Sequence, residues 1–200
     1  MRPLTDRHIQ ALAYGSIARG DVTPTSDIDI YTPNPPAPTL LQTLMEAQGI
    51  HPTHREIIQA TPAYAAKGYI HVADNRSYSF PLVPLKTRER EFYGFAGSIT
   101  HHQIQENTRV PGVTKHLNLI QPTPNGHTET PIQGREGTVA KTLGISTATV
   151  QGRVRTLLRR QKIGRTGVYI KHTLTPEESF GDTYQRLART RPALRRRTRN

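Results

Sequence analysis

Short runs of alternating hydrophobic and polar residues occupy much of the first ninety positions of the chain. Such alternation over four to eight residues is typical of strands with one buried face. Residues 40–48 instead repeat apolar positions at the helical period and end at Gly49, which predicts a helix. Strands are predicted at residues 10–14, 26–31, 55–59, 68–72 and 78–83. Residues 1–92 therefore predict an α/β fold, a mixed sheet with flanking helices.

The second half of the chain changes to the helical period. Residues 139–150 have the spacing of a helix-turn-helix, with Gly144 in the turn and Ser146 as the N-cap of the second helix. The hydrophobic pattern of this second helix continues beyond it, and residues 163–170 predict a short hairpin or wing. Residues 132–172 thus resemble a small winged helix-turn-helix domain.

Two further segments have less regular patterns. Residues 93–131 form a connecting segment in which a strand is predicted only at residues 116–120. Residues 173–200 form a basic tail that ends in a run too charged to fold unaided. The predicted domain boundaries are 1–92, 93–131, 132–172 and 173–200.

Composition excludes several classes of chemistry. The chain of 200 residues has no Cys, so disulfides and thiol nucleophiles are excluded, and a metal ion must bind to oxygen or imidazole ligands. The His residues are scattered, and the adjacent His101 and His102 would point apart in a strand, so no transition-metal site is expected. No apolar run approaches roughly 18 residues, and no signal peptide is evident. We therefore expect a soluble, cytoplasmic protein with no membrane partner.

The excess of positive over negative charge lies in the C-terminal part of the chain. The net charge is +12, yet residues 1–129 contain eleven basic and eleven acidic residues. Residues 130–200 contain sixteen basic and four acidic residues. A neutral N-terminal part and a basic C-terminal part indicate a module that carries out the chemistry, joined to a module that binds nucleic acid, either RNA or DNA.

The candidate chemistry lies where a Gly-Ser pair precedes an Asp-x-Asp motif. Gly15 lets the backbone approach a phosphate, Ser16 offers a hydroxyl, and a short helix beginning there would direct free N–H groups at an anion. Asp27 and Asp29 face the same side of a strand and repel each other unless a cation lies between them. Mg²⁺, or Mn²⁺, prefers such oxygen ligands. The alternative is a Gly-Ser turn followed by an edge strand that happens to expose two Asp side chains.

These residues resemble the signature of the polymerase-β-like nucleotidyltransferase superfamily, in particular its minimal members, over residues 8–60. The resemblance implies a mixed sheet with flanking helices, an NTP and two metal ions, and transfer of a nucleoside monophosphate to a hydroxyl with release of pyrophosphate. It also implies that Gly15 and Ser16 hold the β- and γ-phosphates and that Asp27 and Asp29 hold the metal. Arg19 would bind a phosphate. The segments that carry the resemblance are Gly15-Ser16, Ala18-Arg19-Gly20 and Ser26-Asp27-Ile28-Asp29-Ile30.

Members of this superfamily usually add a third catalytic carboxylate on a neighbouring strand, where it can act as the base for the incoming hydroxyl. Glu56 follows the first long helix at the position where the family pattern expects this group, although the family more often uses Asp. Asp74 in a predicted hairpin turn is an alternative. Glu89 and Glu91 are further alternatives, and they share one face if residues 88–91 form a strand.

In a winged helix-turn-helix domain the second helix enters the major groove of DNA. Its early residues then meet bases, and its later arginines meet phosphates. A docking module for another protein, with a merely solvated basic face, is the alternative. The predicted nucleic-acid-binding residues are Thr147, Thr149, Gln151, Arg153, Arg155, Arg159, Arg160 and Arg165.

The leading hypothesis is an Mg²⁺-dependent nucleotidyltransferase that uses Asp27 and Asp29 to transfer a nucleoside monophosphate from an NTP to a hydroxyl on, or guided by, a nucleic acid. A second hypothesis keeps this chemistry but makes a partner protein the acceptor. A third, of a different class, is a DNA-binding regulator whose front module senses a nucleotide without catalysis.

Overall fold

A computed structural model of the chain describes residues 1–73, 75–164 and 166–198. The chain forms two compact units, and each is discontinuous in sequence. The first unit comprises Met1–Leu12, Asp27–Leu85 and Gly167–Asn200, and the second comprises Ala13–Ser26 and Lys86–Thr166. Among the described residues, no helix combines the length and the apolar character needed to span a membrane.

The helices and strands are short and alternate along the chain. The helices are α1 (Arg2–Thr5), α2 (Ser16–Arg19), α3 (Pro38–Glu46), α4 (Thr87–Ala96), α5 (His101–Gln105), α6 (Glu136–Leu143), α7 (Thr147–Ile163), α8 (Phe180–Thr190) and α9 (Pro192–Thr198). The strands are β1 (Leu12–Tyr14), β2 (Ile28–Tyr31), β3 (His54–Gln59), β4 (Lys67–Val72), β5 (Arg76–Pro81), β6 (Ser98–Thr100), β7 (Gly112–Val113), β8 (Asn118–Thr123), β9 (Gly126–Pro131) and β10 (Ile170–Thr173).

Five strands form the mixed sheet of the first unit, in the order β10-β3-β4-β5-β2. β2 runs parallel to β5, and the other neighbours are antiparallel. Because side chains alternate along a strand, each strand contributes to both faces of the sheet. Phe80 of β5 is buried on one face against Phe180 of α8, with ring centroids 5.0 Å apart. The opposite face carries Asp29, whose register partner on β5 is Ser77.

The second unit packs α6 and α7 onto a small antiparallel sheet, β7-β8-β9. Gly144 ends α6 in the left-handed conformation, and the Ser146 side chain caps α7 by accepting from the Thr149 N–H, as the pattern predicts. The segment 93–131 is an integral part of this unit. The shared core consists of Phe95, Val113, Leu117, Leu119, Ile132, Val139, Ala140, Val150, Val154 and Leu157.

The structure confirms the mixed α/β sheet but differs from the prediction in the basic half. No winged helix-turn-helix is confirmed, because residues 164 and 166–169 form no strand. Residues 170–173 are β10, which pairs with β3 in the sheet of the first unit. Residues 88–91 form part of α4, not a strand. A hairpin needs two local strands, whereas β10 finds its partner more than a hundred residues away.

The predicted basic tail is also partly ordered. α8 and α9 lie within residues 173–200 and belong to the first unit. Phe180 and Leu194 are fully buried, and the Tyr184 hydroxyl donates to the Leu194 carbonyl at 3.3 Å. Arg197 is 7% exposed and donates to the Pro84 carbonyl at 3.1 Å. A few apolar side chains therefore order a segment that its net charge alone would leave unfolded.

Candidate active site

Asp27 and Asp29 flank the start of β2 in the first unit. Asp27 is exposed immediately before the strand, and Asp29 is half-buried within it, while Ile30 is buried, with 5% exposure. Ser77 on the neighbouring strand β5 stands opposite Asp29 and donates its hydroxyl to Asp29 Oδ1 at 2.6 Å. This hydrogen bond fixes the orientation of one carboxylate oxygen and leaves the second for another ligand.

The electrostatics of this face favour a bound cation. Burial raises the pKa of Asp29, and the charge of Asp27 adds to the rise, whereas the Ser77 hydrogen bond and His71 lower it. Tyr69 lies on the same face, and burial together with Asp29 and Glu56 raises its pKa to about 12. Both raised pKa values mean that negative charge on Asp29 and Tyr69 is disfavoured at this face of the sheet. A divalent cation beside Asp29 would relieve this repulsion.

Glu56 lies on β3, at some distance from the two aspartates. β4 and β5 stand between β3 and β2, so the backbones of these strands are roughly 14 Å apart at about 4.8 Å per strand. The Glu56 carboxylate is 5% exposed and contacts Lys171, His54 and His71. The structure therefore does not bring Glu56 together with Asp27 and Asp29, because this distance is too large for a shared metal ion. The position opposite Asp29 on β5 is Ser77 instead.

The other candidates for the third carboxylate, Glu89 and Glu91, accept hydrogen bonds at the ends of helices in the second unit. Glu89 Oε2 accepts the Lys86 N–H at 2.7 Å at the start of its own helix, α4. Glu91 accepts hydrogen bonds from the hydroxyls of Ser146 and Thr149, and these bonds lower its pKa. Asp74 lies outside the described residues.

Gly15 and Ser16 form the start of α2 in the second unit. Gly15 has φ of 83° and ψ of −143°, a conformation that residues with a Cβ rarely adopt, and its N–H donates to the Gly97 carbonyl at 2.9 Å. Ser16 is the first residue of the short helix and is half-buried. The glycine is thus required by the backbone itself, as well as by the phosphate that the sequence predicts there.

Arg19 has a structural environment that the sequence did not indicate. The side chain is 8% exposed. Its Nη1 atom donates to the Ala96 carbonyl at 2.6 Å, and Nη2 forms an ion pair with Asp21 at 2.9 Å. A guanidinium held in this way supports α2 from within. The structure thus pairs the charge of Arg19 with Asp21, and the binding of a phosphate by Arg19 stays a prediction.

The predicted nucleic-acid-binding residues on α7 divide into two groups. Thr149 is 4% exposed and donates its hydroxyl to Glu91, so it is not available to a base. Arg153 is half-buried with its guanidinium 5.0 Å from the ring centroid of Phe92. Both side chains thus have partners within the second unit, while Arg165 lies outside the described residues. The exposed members of the set are Thr147, Gln151, Arg155, Arg159 and Arg160.

Sequence reasoning missed His54, His71 and Ser77. His54 and His71 are opposite each other on β3 and β4, and their rings stack with centroids 4.2 Å apart. Burial and the neighbouring His54 lower the pKa of His71, although Glu56 raises it. The alternation within each strand predicts which face a residue takes, but only the strand register shows which residues become neighbours.

The comparison with protein families identifies one domain of this chain. Residues 5–75, which include Gly15, Ser16, Asp27 and Asp29, match the family model described as Nucleotidyltransferase domain. The chain therefore contains a polymerase-β-like nucleotidyltransferase domain. The protein is accordingly a transferase of nucleotidyl groups, which favours the enzyme hypotheses over a non-catalytic nucleotide sensor. No curated protein and no solved structure matches the chain significantly.

Proposed function

We propose that this protein is an Mg²⁺-dependent enzyme that transfers a nucleoside monophosphate from an NTP to a hydroxyl of a nucleic acid. The observation that carries the proposal is the pair Asp27 and Asp29 at the start of β2, within a nucleotidyltransferase domain. Ser77 orients Asp29 with a hydrogen bond of 2.6 Å. The transfer of a nucleotidyl group follows from the domain, whereas the metal and the acceptor are proposed here.

The donor set of Asp27 and Asp29 fits a hard divalent cation. Both ligands are carboxylates, which Mg²⁺ and Mn²⁺ prefer, and burial disfavours the charge of Asp29 in the absence of a cation. When bound, such a metal neutralises charge on the triphosphate and on the leaving pyrophosphate. Asp27 and Asp29 would supply its protein ligands. Glu56 has no part in this site because β4 and β5 separate it from β2.

Gly15 and Ser16, which lie in the second unit, supply the proposed contacts to the triphosphate. Gly15 lets the backbone approach the β- and γ-phosphates, and Ser16 supplies a hydroxyl donor to them. Arg19 and Asp21 hold α2 in place by their ion pair. With Glu56 and Glu91 engaged elsewhere, we assign no carboxylate of the chain as the base for the incoming hydroxyl.

The basic residues favour a nucleic acid as the acceptor or guide. The whole excess of +12 lies in residues 130–200. Arg155, Arg159 and Arg160 are exposed on α7, and Lys162 is exposed at its end. Such a cluster neutralises phosphates without reading the sequence of bases, so it supports binding to RNA or DNA in general.

The test of the proposed function is transfer of label from α-phosphate-labelled ATP, CTP, GTP or UTP in the presence of Mg²⁺. Total RNA, single-stranded DNA, duplex DNA and a protein extract are offered as separate acceptors. We expect label on nucleic acid together with release of pyrophosphate. Label on a protein band alone would move the acceptor to the protein class, and the absence of both transfer and pyrophosphate release would refute the proposal.

A separate prediction concerns the basic helix. The triple variant Arg155→Ala, Arg159→Ala, Arg160→Ala should weaken nucleic-acid binding at every sequence and reduce the slope of log K against log salt by up to about 3. Fluorescence anisotropy with labelled RNA and DNA over a range of salt measures both effects. The matched control, Arg2→Ala, Arg7→Ala, Lys115→Ala, removes the same charge from exposed positions elsewhere. Equal weakening by the two variants would exclude a specific contact surface on α7.

A further inference from the structure

The adjacent strands β3 and β4 bring together three side chains that commonly bind metal ions. His54, Glu56 and His71 each offer one ligand atom, and these atoms all lie within 4.8 Å of one another. The Nε2 atom of His54 is 3.7 Å from Glu56 Oε1, and that of His71 is 3.6 Å from Glu56 Oε2. Within the described ranges, it is this group, and not one containing Asp27 or Asp29, that has such a geometry.

The two distances from the imidazoles to the Glu56 carboxylate are close to those of a tetrahedral metal site. Ligands at about 2.0–2.1 Å from one ion, at tetrahedral angles, lie roughly 3.3 Å from one another. The observed separations of 3.6 and 3.7 Å exceed this spacing by only a few tenths of an ångström. They are too long for hydrogen bonds, and the buried Nε2 of His71 has no hydrogen-bond partner among the described residues.

The hydrogen bonds of Thr53 prepare His54 as a ligand. The Thr53 hydroxyl donates to the His71 carbonyl at 3.1 Å, so its only proton is used. The contact of 3.3 Å between Thr53 Oγ1 and His54 Nδ1 then requires that Nδ1 be the donor. This tautomer leaves a lone pair on Nε2, the atom that faces Glu56. Support of a metal-binding imidazole through its other nitrogen is common in protein sites.

We propose that His54, Glu56 and His71 bind a Zn²⁺-class transition-metal ion at a site distinct from the carboxylates of β2. Two imidazoles and one carboxylate suit Zn²⁺, Co²⁺ or Ni²⁺ better than Mg²⁺, which prefers oxygen ligands. The proposal stands on the geometry of β3 and β4 and does not depend on the proposed transfer reaction. It also gives the buried Glu56 a role now that the distance from β2 excludes it from the catalytic metal.

Lys171 is the competitor for this site. Its Nζ atom lies 3.0 Å from Glu56 Oε1, so the ammonium compensates the buried carboxylate. The Lys171 side chain is 60% exposed and long, so it can move into solvent when another cation binds. The affinity for the metal therefore includes the cost of displacing Lys171, and removal of its charge should strengthen binding.

The experiment titrates chelator-treated protein with Co²⁺ and Zn²⁺ in the presence of millimolar Mg²⁺. Calorimetry gives the affinity, and the visible spectrum of bound Co²⁺ reports tetrahedral nitrogen coordination. The background variant Asp27→Asn, Asp29→Asn removes binding at β2. On this background we expect one tight equivalent, a loss of at least about 10-fold for His54→Ala, and tighter binding for Lys171→Met.

Two controls keep the proposal falsifiable. His54 is largely exposed, so its truncation leaves the core intact, and circular dichroism of each variant checks the fold. The variant His51→Ala, His116→Ala removes two exposed imidazoles elsewhere and should leave binding unchanged. Unchanged affinity in His54→Ala, or an equal loss in the control, would show that Glu56 serves only as the counter-ion of Lys171.

Discussion

Replacement of Asp29 by Asn should abolish nucleotidyl transfer while leaving the protein folded. The amide keeps the shape of the carboxylate, and its oxygen can still accept the Ser77 hydroxyl. It removes the negative charge that would hold the metal. A loss of several kcal/mol of transition-state stabilisation corresponds to a rate reduced by about 10³-fold or more. Initial rates of label transfer, measured with saturating NTP and Mg²⁺, test this expectation.

Two further variants separate charge from orientation at Asp29. Ser77→Ala keeps the carboxylate but frees it to rotate, so its rate should fall between those of wild type and Asp29→Asn. Asp6→Asn removes an exposed acidic charge in the same unit and should have no effect. A rate for Asp29→Asn within a factor of about two of wild type would rule out the aspartates of β2 as the metal ligands, because charge loss there corresponds to several kcal/mol.

Gly112→Ala should cause the largest loss of stability in the second unit. A Cβ at this position would lie 2.6 Å from the Ala96 carbonyl oxygen and 2.6 Å from the Gly97 nitrogen. Both are backbone atoms, so no side-chain rotation can relieve the contact. We expect a cost of about 3 kcal/mol, at the upper end for overpacking, and a melting temperature lower by at least about 10 °C. Thermal unfolding followed by circular dichroism measures it.

The matched control for this variant is Gly152→Ala within α7. No atom lies within 4 Å of a Cβ built there, and the residue is helical. The control should raise stability by about 0.5–1 kcal/mol, because alanine has the higher helix propensity. If Gly112→Ala melted at the wild-type temperature, that result would contradict the close contact between β7 and the end of α4.

The elements of the fold that follow from local patterns could be predicted from the sequence. β2, β3, β4 and β5 coincide closely with alternating runs, and the αL residue Gly144 with the cap Ser146 separates α6 from α7 as expected. The pairing of β10 with β3 could not be predicted. It joins segments more than a hundred residues apart, and no local signal on Ile170–Thr173 specifies His54–Gln59 as the partner.

The residues of the candidate site also divide into those with a local sequence signal and those whose neighbours are set by tertiary contacts. Asp27 and Asp29 could be proposed from the sequence because their two-residue spacing beside alternating Ile residues is itself a local pattern. The environment of Arg19 and Arg153 was missed, because the buried partners Ala96 and Phe92 come from elements that the sequence does not connect to them. The neighbourhood of Glu56 was likewise decided by strand order, which separates it from Asp29 and places it beside His71.

The contribution of β10, α8 and α9 to the first unit has a consequence for biosynthesis. Ile170 is buried beside β3, and Phe180 is buried against Phe80, so the sheet that carries Asp29 remains incomplete until these residues have been translated. The second unit, which ends at Thr166, leaves the ribosome earlier and can fold first. A nascent chain would therefore gain its basic helix α7 before the sheet that carries Asp29 is complete.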